Sequence, residues 1–256
     1  MPIIAASEGL FIRESVRSML RRVRDVRPLR ILDVGGGLNP WLGDLVTDVL
    51  DIDSRQGVVL HSGDINLAST WVDLDDNEFD FVNCSHTLED IRDPGFVISQ
   101  MSRVGKTGFV SVPNRHQENS PVESQHYLGY GHHRWMFHLR SGSILEASAK
   151  FPATSYKQFG MEDCATVLFR GRQTRLSRFF TKRHPSRWIN GDLVSPAHEL
   201  GVLWEGDLPF KYLNNDYAGR SINEMLTNIN EFLEEQFSGP AWNEESITLV
   251  EQRLGK

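Results

Sequence analysis

The sequence has few cysteines, no long apolar run and fewer basic than acidic residues. Cys84 and Cys164 stand far apart in a chain of 256 residues, which gives neither a disulfide framework nor the spacing of zinc ligands. No segment approaches the roughly 18 apolar residues that a membrane span needs, and the N-terminus lacks the apolar core of a signal peptide. These absences lead us to expect a cytoplasmic protein with no membrane span.

The formal net charge of −7 argues against a dedicated nucleic-acid partner, because such proteins usually bind phosphates with a basic face. The charge is uneven, however, and residues 13–30 and 170–187 are rich in arginine. A solvated surface is the simpler interpretation of both stretches. An anionic ligand, polymer or membrane surface is the sharper alternative, and it stays open at this point.

The length suits one large domain with an elaborated second half. Apolar residues at helical spacing predict an amphipathic helix over residues 7–24, with Ser7 as its N-cap. We divide the chain into three parts: an N-terminal helical segment 1–28, a core 29–170 with an acceptor loop 115–140, and a C-terminal extension 171–256.

Short apolar runs alternate with helical segments through the core. This alternation predicts an α/β fold, a Rossmann-like doubly wound sheet with helices on both faces. The predicted strands of the core are 29–34, 46–52, 58–61, 79–84 and 108–112, and its predicted helices are 41–46 and 96–104. Further strands are predicted at 144–149, 165–169, 202–204 and 210–213, with a helix at 221–237 and a frayed end over about the last fifteen residues.

Three consecutive glycines follow the first predicted strand of the core. They come after Asp33, at the carboxyl end of a strand, where ligands bind in such folds. A nicotinamide dinucleotide needs GxGxxG and a helix N-terminus for its pyrophosphate, but Pro40 stands at the third glycine position. S-adenosylmethionine has no pyrophosphate and instead needs a carboxylate for its ribose hydroxyls.

Between Ile31 and Asn114 the chain resembles the class I S-adenosylmethionine-dependent methyltransferases, in particular their small-molecule group. Asp33, Gly35 and Gly37 match the first motif of that family, although Asn39 replaces its third glycine. The later motifs are matched, in order, by Asp51, by Gly63-Asp64-Ile65, by the segment 79–90 and by Val112-Pro113-Asn114. The motif that the segment 79–90 matches usually ends in a histidine, and this chain has Asp90 at that position.

The resemblance implies S-adenosylmethionine as cofactor, with Asp51 on the ribose, Asp53 as a less favoured substitute for it, and Asp64 near the adenine amino group. The cofactor-binding residues that it implies are Asp33, Gly35, Gly36, Gly37, Asp51, Ile52, Asp64, Ile65, Cys84 and Ser85. The segment 129–135 is similar to one found in stand-alone methyltransferases encoded among glycosyltransferases. This second likeness implies a role in glycan biosynthesis.

Methyl transfer from a sulfonium is an in-line displacement, and a hydroxyl acceptor needs a general base. Five histidines crowd into residues 116–138, and histidine suits proton transfer near neutral pH. We expect His133 or His132 to be the base, with His86 as a further candidate. The acids near the histidine pair, Glu118 and Glu123, lack a recognisable ligand spacing, so the sequence predicts no metal site.

The sequence therefore predicts methyl transfer to a hydroxyl or amine of a small molecule or saccharide. One alternative is a nicotinamide-dependent oxidoreductase with a degenerate fingerprint. Another is a non-catalytic methyltransferase-like partner subunit, suggested by the departures at Asn39 and Asp90. The sequence does not identify the acceptor, and a homo-oligomer stays open.

Overall fold

The computed structural model describes residues 2–8, 12–118, 129–140, 143–150, 199–213 and 239–256. They form a seven-stranded sheet, a three-stranded sheet and four helices within that part of the chain. The strands of the large sheet are β1 Ile3–Glu8, β2 Ile31–Val34, β3 Asp48–Asp51, β4 Val59–Ser62, β5 Phe79–Ser85, β6 Gly105–Pro113 and β9 Glu199–Glu205. The strands of the small sheet are β7 Trp135–Arg140, β8 Ile144–Ala149 and β10 Phe210–Tyr212. The helices are α1 Ile12–Arg24, α2 Pro94–Val104, α3 Arg115–Glu118 and α4 Glu244–Leu254.

The large sheet has the strand order β4-β3-β2-β5-β6-β9-β1. Its first five strands are parallel, and β9 runs antiparallel to both β6 and β1. The chain leaves β2 toward β3 and β4 on one side and continues at β5 on the other. A crevice therefore opens at the carboxyl ends of β2 and β5, where ligands bind in open α/β sheets.

Alternate residues of each strand point to opposite faces, and each face has its own core. Helices α1 and α4 pack together over one face and bury Leu20 and Val250 against Phe81, Phe109 and Leu203. Helix α2 and the small sheet cover the other face. Within the described residues, no helix is long and apolar enough to cross a membrane.

The predicted α/β fold is confirmed, and every strand predicted within the described residues is present. One predicted helix is wrong and another begins later than predicted. The helix predicted over residues 7–24 is present as α1, but it begins at Ile12. Ser7 does not cap it but lies in β1, because β9 offers backbone partners along residues 3–8. Residues 41–46 contain only a three-residue 3-10 turn, Gly43–Leu45.

The predicted acceptor loop 115–140 is also more regular than expected, since it begins with α3 and ends in β7. The end of the chain does not fray, because Asn243 and Ser246 form a capping box at the start of α4. The predicted strand 165–169 and helix 221–237 lie outside the described residues. The large sheet takes strands from all three parts into which the sequence was divided.

Five arginines between residues 21 and 30 are engaged by acids of the same fold. Their ion pairs are Arg21–Asp44 at 3.6 Å, Arg24–Asp44 at 3.2 Å, Arg27–Asp80 at 3.1 Å, Arg30–Asp48 at 2.9 Å and Arg22 with Glu251. These contacts leave less positive charge for an external polyanion and favour the interpretation as a solvated surface. The second basic stretch, 170–187, lies outside the described residues.

Because Leu203 of β9 is fully buried between the sheet and its helices, we expect Leu203→Ala to lower the free energy of unfolding by about 2–5 kcal/mol. Leu249→Ala is the matched control, since Leu249 is 40% exposed and its loss should change stability by less than about 0.5 kcal/mol. Urea unfolding followed by circular dichroism measures both. Equal stability of the two variants would contradict the placement of β9 inside the core.

Candidate functional site

The glycine turn after β2 is fixed by side chains packed against its backbone. Gly35 has a φ of +76°, and a Cβ there would lie 2.4 Å from Thr87 Cγ2. A Cβ on Gly36 would lie 2.0 Å from Asp33 Oδ1. No larger residue fits at either position without moving its neighbour. The turn therefore presents bare backbone at the carboxyl edge of the sheet.

Asp51, the last residue of β3, lies beside this turn. A Cβ on Gly37, whose φ is +51°, would be 3.2 Å from Asp51 Oδ2, while Asp51 Oδ1 accepts the amide of Ile52 at 2.6 Å. The Ile52 side chain is 77% exposed. The amide of Gly63 donates to the Asp51 carbonyl at 3.1 Å. The predicted residues Asp51, Ile52 and Asp64 thus share one edge.

The Asp64 carboxylate is exposed and already engaged. Its Oδ1 accepts the amide of Asn66 at 2.9 Å and the Asn66 side-chain nitrogen at 2.8 Å, and these bonds lower the pKa of Asp64. Two other predicted residues turn inward instead. Cys84 is fully buried, which raises the pKa of its thiol, and Ile65 is 8% exposed. The side chains of these two residues are therefore shielded from a ligand at the edge.

A hydrogen-bonded line runs from the end of β5 into the core. Ser85 Oγ donates to Asn83 Oδ1 at 3.1 Å, and Asn83 Nδ2 donates to Asp33 Oδ2 at 2.9 Å. Burial raises the pKa of Asp33 to about 7, despite the opposing hydrogen bonds from Asn83 and from the amides of Trp41 and Leu42. The charge of Asp51 adds to this rise. Asp33 therefore titrates close to neutral pH and supports the turn from below.

His86 follows β5 in a left-handed conformation, with a φ of +52°. Its Nε2 lies 2.9 Å from Glu199 Oε1, and its Nδ1 lies 3.4 Å from Glu89 Oε1. Burial alone would lower the pKa of His86, but the hydrogen bonds to Glu199 and Glu89 outweigh it and raise that pKa to about 9. Both ring nitrogens face carboxylates, so His86 is a cation at neutral pH and unsuited to accept a proton.

His133 belongs to a buried network behind the turn that precedes β7. Its Nδ1 bonds to Glu118 Oε1 in α3, and the other oxygen of that carboxylate accepts Lys150 Nζ at 2.9 Å. Lys150 also donates to the carbonyl of Tyr130 at 2.6 Å. The side chains of His133 and Lys150 are 6% exposed, and that of Glu118 is fully buried. The network fixes the orientation of the His133 ring.

The outer nitrogen of His133 faces a more open cluster. Its Nε2 lies 3.7 Å from Asp90 Oδ1, and the Nε2 of His132 lies 3.8 Å from the same oxygen. The His132 side chain is 61% exposed. Asp90 stands three residues after Thr87, which packs on the glycine turn. We call Asp90, His132 and His133 the histidine cluster.

The remaining loop histidines are less informative. His138 is fully buried within β7, while His126 and the side chain of His116 lie outside the described part of the chain. Sequence reasoning did not assign Asn83, Asp90, Lys150 or Glu199 to the site. Asp90 carried the clearest available signal, because it stands where the family motif has a histidine.

Because the raised pKa of His86 favours the folded state when the ring is protonated, its stabilising contribution is complete below pH 6.5 and is lost as the pH rises through about 9. We expect His86→Gln to flatten the decline in the free energy of unfolding between these values, as followed by urea unfolding across the range. Glu199→Gln should reduce the slope in part. An unchanged slope in His86→Gln would contradict the assigned pairing.

A scan of family models matches residues 19–120 to methionine biosynthesis protein MetW, an S-adenosylmethionine methyltransferase-like family. No curated protein matches the chain. The matched segment contains β2 to β6 and the glycine turn, and it ends before the histidine pair.

Solved structures similar to the chain include three methyltransferases. An S-adenosylmethionine-dependent methyltransferase of Thermotoga maritima is 20% identical, with 42% of this chain and 55% of that one covered and a TM-score of 0.29. The arsenic(III) methyltransferase of Chlamydomonas reinhardtii is 17% identical, with 39% of this chain and 49% of that one covered and a TM-score of 0.30. The magnesium protoporphyrin IX methyltransferase of Synechocystis is 17% identical, with 40% of this chain and 57% of that one covered and a TM-score of 0.30. The chain thus spans about half the length of these structures.

The family match covers less than half of the chain, and it falls on the segment that holds the sequence motifs. It says nothing about glycan biosynthesis. The resemblance to S-adenosylmethionine-dependent methyltransferases is confirmed over residues 19–120, by the match to the methyltransferase-like MetW family.

Proposed function

We propose that the protein transfers a methyl group from S-adenosylmethionine to a hydroxyl or amine of a small molecule or saccharide. A cytoplasmic location and a surface-glycan precursor as acceptor are part of this proposal. The observation that carries it is the Asp51 carboxylate beside the bare backbone of Gly37, at the crevice between β2 and β5. A ribose bound there has an acceptor for both hydroxyls, and its neighbouring groups meet no side chain in the turn.

The charges around the turn favour a cationic cofactor over a dinucleotide. Asp33 and Asp51 lie close together, and the charge of Asp51 raises the pKa of Asp33. The sulfonium and ammonium groups of S-adenosylmethionine are attracted to such a site, whereas a pyrophosphate is repelled. The glycine turn leads into the 3-10 turn Gly43–Leu45, which offers a pyrophosphate no α-helix N-terminus.

The adenosyl part is assigned to the edge formed by β3 and β4. Asp51 binds the ribose hydroxyls, and the exposed Ile52 side chain supplies an apolar surface for the adenine ring. Asp64 lies one residue beyond the Gly63 amide that binds the Asp51 carbonyl, within reach of the adenine amino group. The methionine end then lies over Gly35 and Gly36, toward the residues that follow β5.

His133 is the proposed general base for a hydroxyl acceptor. Lys150 supplies the counter-charge of Glu118, so the buried carboxylate does not require a second cation. His133 then donates its Nδ1 proton to Glu118 and keeps a lone pair on Nε2. In the displacement, the acceptor oxygen gives its proton to Nε2 and forms a bond to the methyl carbon as the carbon–sulfur bond breaks. S-adenosylhomocysteine leaves as a neutral thioether.

His132 stands beside His133 and completes the acceptor side of the cluster. His86 is less suited to the same task, because its two carboxylate partners keep it protonated at neutral pH. We assign it to positioning: it ties the end of β5 to Glu199 in β9. Its charge also offsets part of the acidity of the edge.

A non-catalytic methyltransferase-like subunit is the second candidate. Asn39 replaces the last glycine of the motif, and its amide donates to the Gly36 carbonyl at 3.1 Å, so the turn closes without that glycine. Such a subunit would bind the cofactor without turnover. Cofactor binding and methyl transfer are therefore tested separately.

For cofactor binding, we expect isothermal titration calorimetry to show one S-adenosylmethionine per chain and no binding of NADH. Asp51→Asn should weaken this binding about 10- to 100-fold, because it removes hydrogen bonds to a charged group. Gly37→Ala should weaken it as well, since its Cβ meets the carboxylate. Asp53→Asn is the matched control, an exposed acid two residues away, and should bind normally. Preference for NADH would overturn the assignment.

For catalysis, release of S-adenosylhomocysteine is measured with a panel of nucleotide sugars and small hydroxyl compounds. On a hydroxyl acceptor that is turned over, His133→Gln should lower kcat about 10²- to 10⁴-fold without changing cofactor affinity. His61→Gln, which alters a histidine paired with Asp48, serves as the control. Full activity of His133→Gln would exclude it as the base. Cofactor binding without turnover on any acceptor would favour the non-catalytic subunit.

A further inference from the structure

The histidine cluster has the composition and spacing of a metal site. The outer nitrogens of His132 and His133 and the Oδ1 of Asp90 lie within 4.8 Å of one another. The two nitrogen–oxygen distances are 3.7 and 3.8 Å. A tetrahedral ion with bonds of about 2.1 Å separates its ligands by about 3.4 Å. The two nitrogen–oxygen distances exceed that spacing by only a few tenths of an ångström, which small side-chain rotations would close.

The oxygen at the centre of this cluster needs a partner. Asp90 Oδ1 is buried and has no hydrogen bond among the described residues. Two histidine nitrogens at 3.7 and 3.8 Å are too distant to satisfy it. The Asp90 side chain as a whole is 39% exposed, but this one oxygen is shielded from water, and a positive charge beside it would compensate the lost hydration. A cation held between the oxygen and the two nitrogens would provide that charge.

The second layer of contacts is also typical of metal sites. A histidine that binds a metal usually gives its other nitrogen to a carboxylate, which fixes the tautomer and the ring orientation. His133 makes this contact with Glu118, and Lys150 holds Glu118 in turn. The network is buried and therefore rigid on the protein side. On the other side the cluster opens to solvent, because His132 is 61% and Asp90 39% exposed.

We infer that Asp90, His132 and His133 bind a divalent transition-metal ion, of which Zn²⁺ is the best fit to two imidazoles and one carboxylate. Three protein ligands and an open face leave one position for water or for a ligand atom, as in catalytic zinc sites. The inference deepens the proposed function, because that position lies at the sheet edge where the methyl acceptor would bind.

In the metal-bound protein, the ion would replace the His133 lone pair in activating the acceptor. A hydroxyl held at the open position would have a lowered pKa and would lose its proton to solvent through the exposed face. Methyl transfer to that oxygen would then need no proton acceptor from the protein. An acceptor with two neighbouring oxygens, such as a saccharide diol, would suit an ion that accepts a fifth ligand.

The test uses the full chain, freed of metal by a chelator and dialysed, with no cofactor or acceptor present. Co²⁺ is titrated in while its visible absorption is recorded, and Zn²⁺ is then added as a competitor. We expect one Co²⁺ per chain with the intense absorption of a four-coordinate site, displaced by Zn²⁺. His132→Gln and Asp90→Asn should each weaken binding at least tenfold, and Glu118→Gln about 10- to 100-fold through the orientation of His133.

His61→Gln and Asp53→Asn are the matched controls and should bind Co²⁺ like the unaltered chain. His132 and Asp90 are partly exposed, so their variants should fold, as thermal unfolding without metal verifies. Absence of binding, or equal binding by the cluster variants and the controls, would overturn the metal site. Because no S-adenosylmethionine is present, that failure would leave the proposed methyl transfer and its His133 base standing.

Discussion

The close packing of the glycine turn after β2 is the constraint on which the rest of the site depends. Thr87 occupies the space that a side chain on Gly35 would need, and Asp33 occupies that of Gly36. The backbone can take this path only because the side chains are absent. Because β3, β2 and β5 are neighbours in the sheet, the exposed backbone of the turn lies between the ends of the other two strands. The acids and histidines of the site are arranged around that opening.

Acidic and imidazole side chains occupy different parts of this edge of the sheet. Carboxylates dominate around the glycine turn, where burial raises the pKa of Asp33 to about 7. Imidazoles dominate beyond the end of β5, and buried ion pairs set what each of them can do. Two carboxylates hold His86 as a cation, whereas Lys150 neutralises the acid that holds His133. Two histidines at the same edge are thereby given different chemistry by their neighbours.

The sequence was sufficient where local pattern and tertiary structure agree. Strands β2 to β6 and the position of Asp51 follow from apolar runs and from motif order, because parallel strands bring their carboxyl ends together. Sequence patterns did not predict structure that depends on pairing with a distant segment of the chain. Residues 3–8 became a strand only because β9 pairs with them, and no local signal specifies that pairing. The contact of Asp90 with His133 likewise spans two turns far apart in the chain, which residue spacing cannot reveal.

A crystal structure with S-adenosylhomocysteine would test the central claim, that one edge binds the cofactor and aims its methyl group at the histidine cluster. We predict ribose hydroxyls on Asp51, adenine beside Ile52 and the sulfur directed toward His132 and His133. The same crystals would show whether Asp33 keeps its contact with Asn83 when the ligand is bound. A ligand seated elsewhere, or one whose sulfur points away from the histidines, would contradict the account.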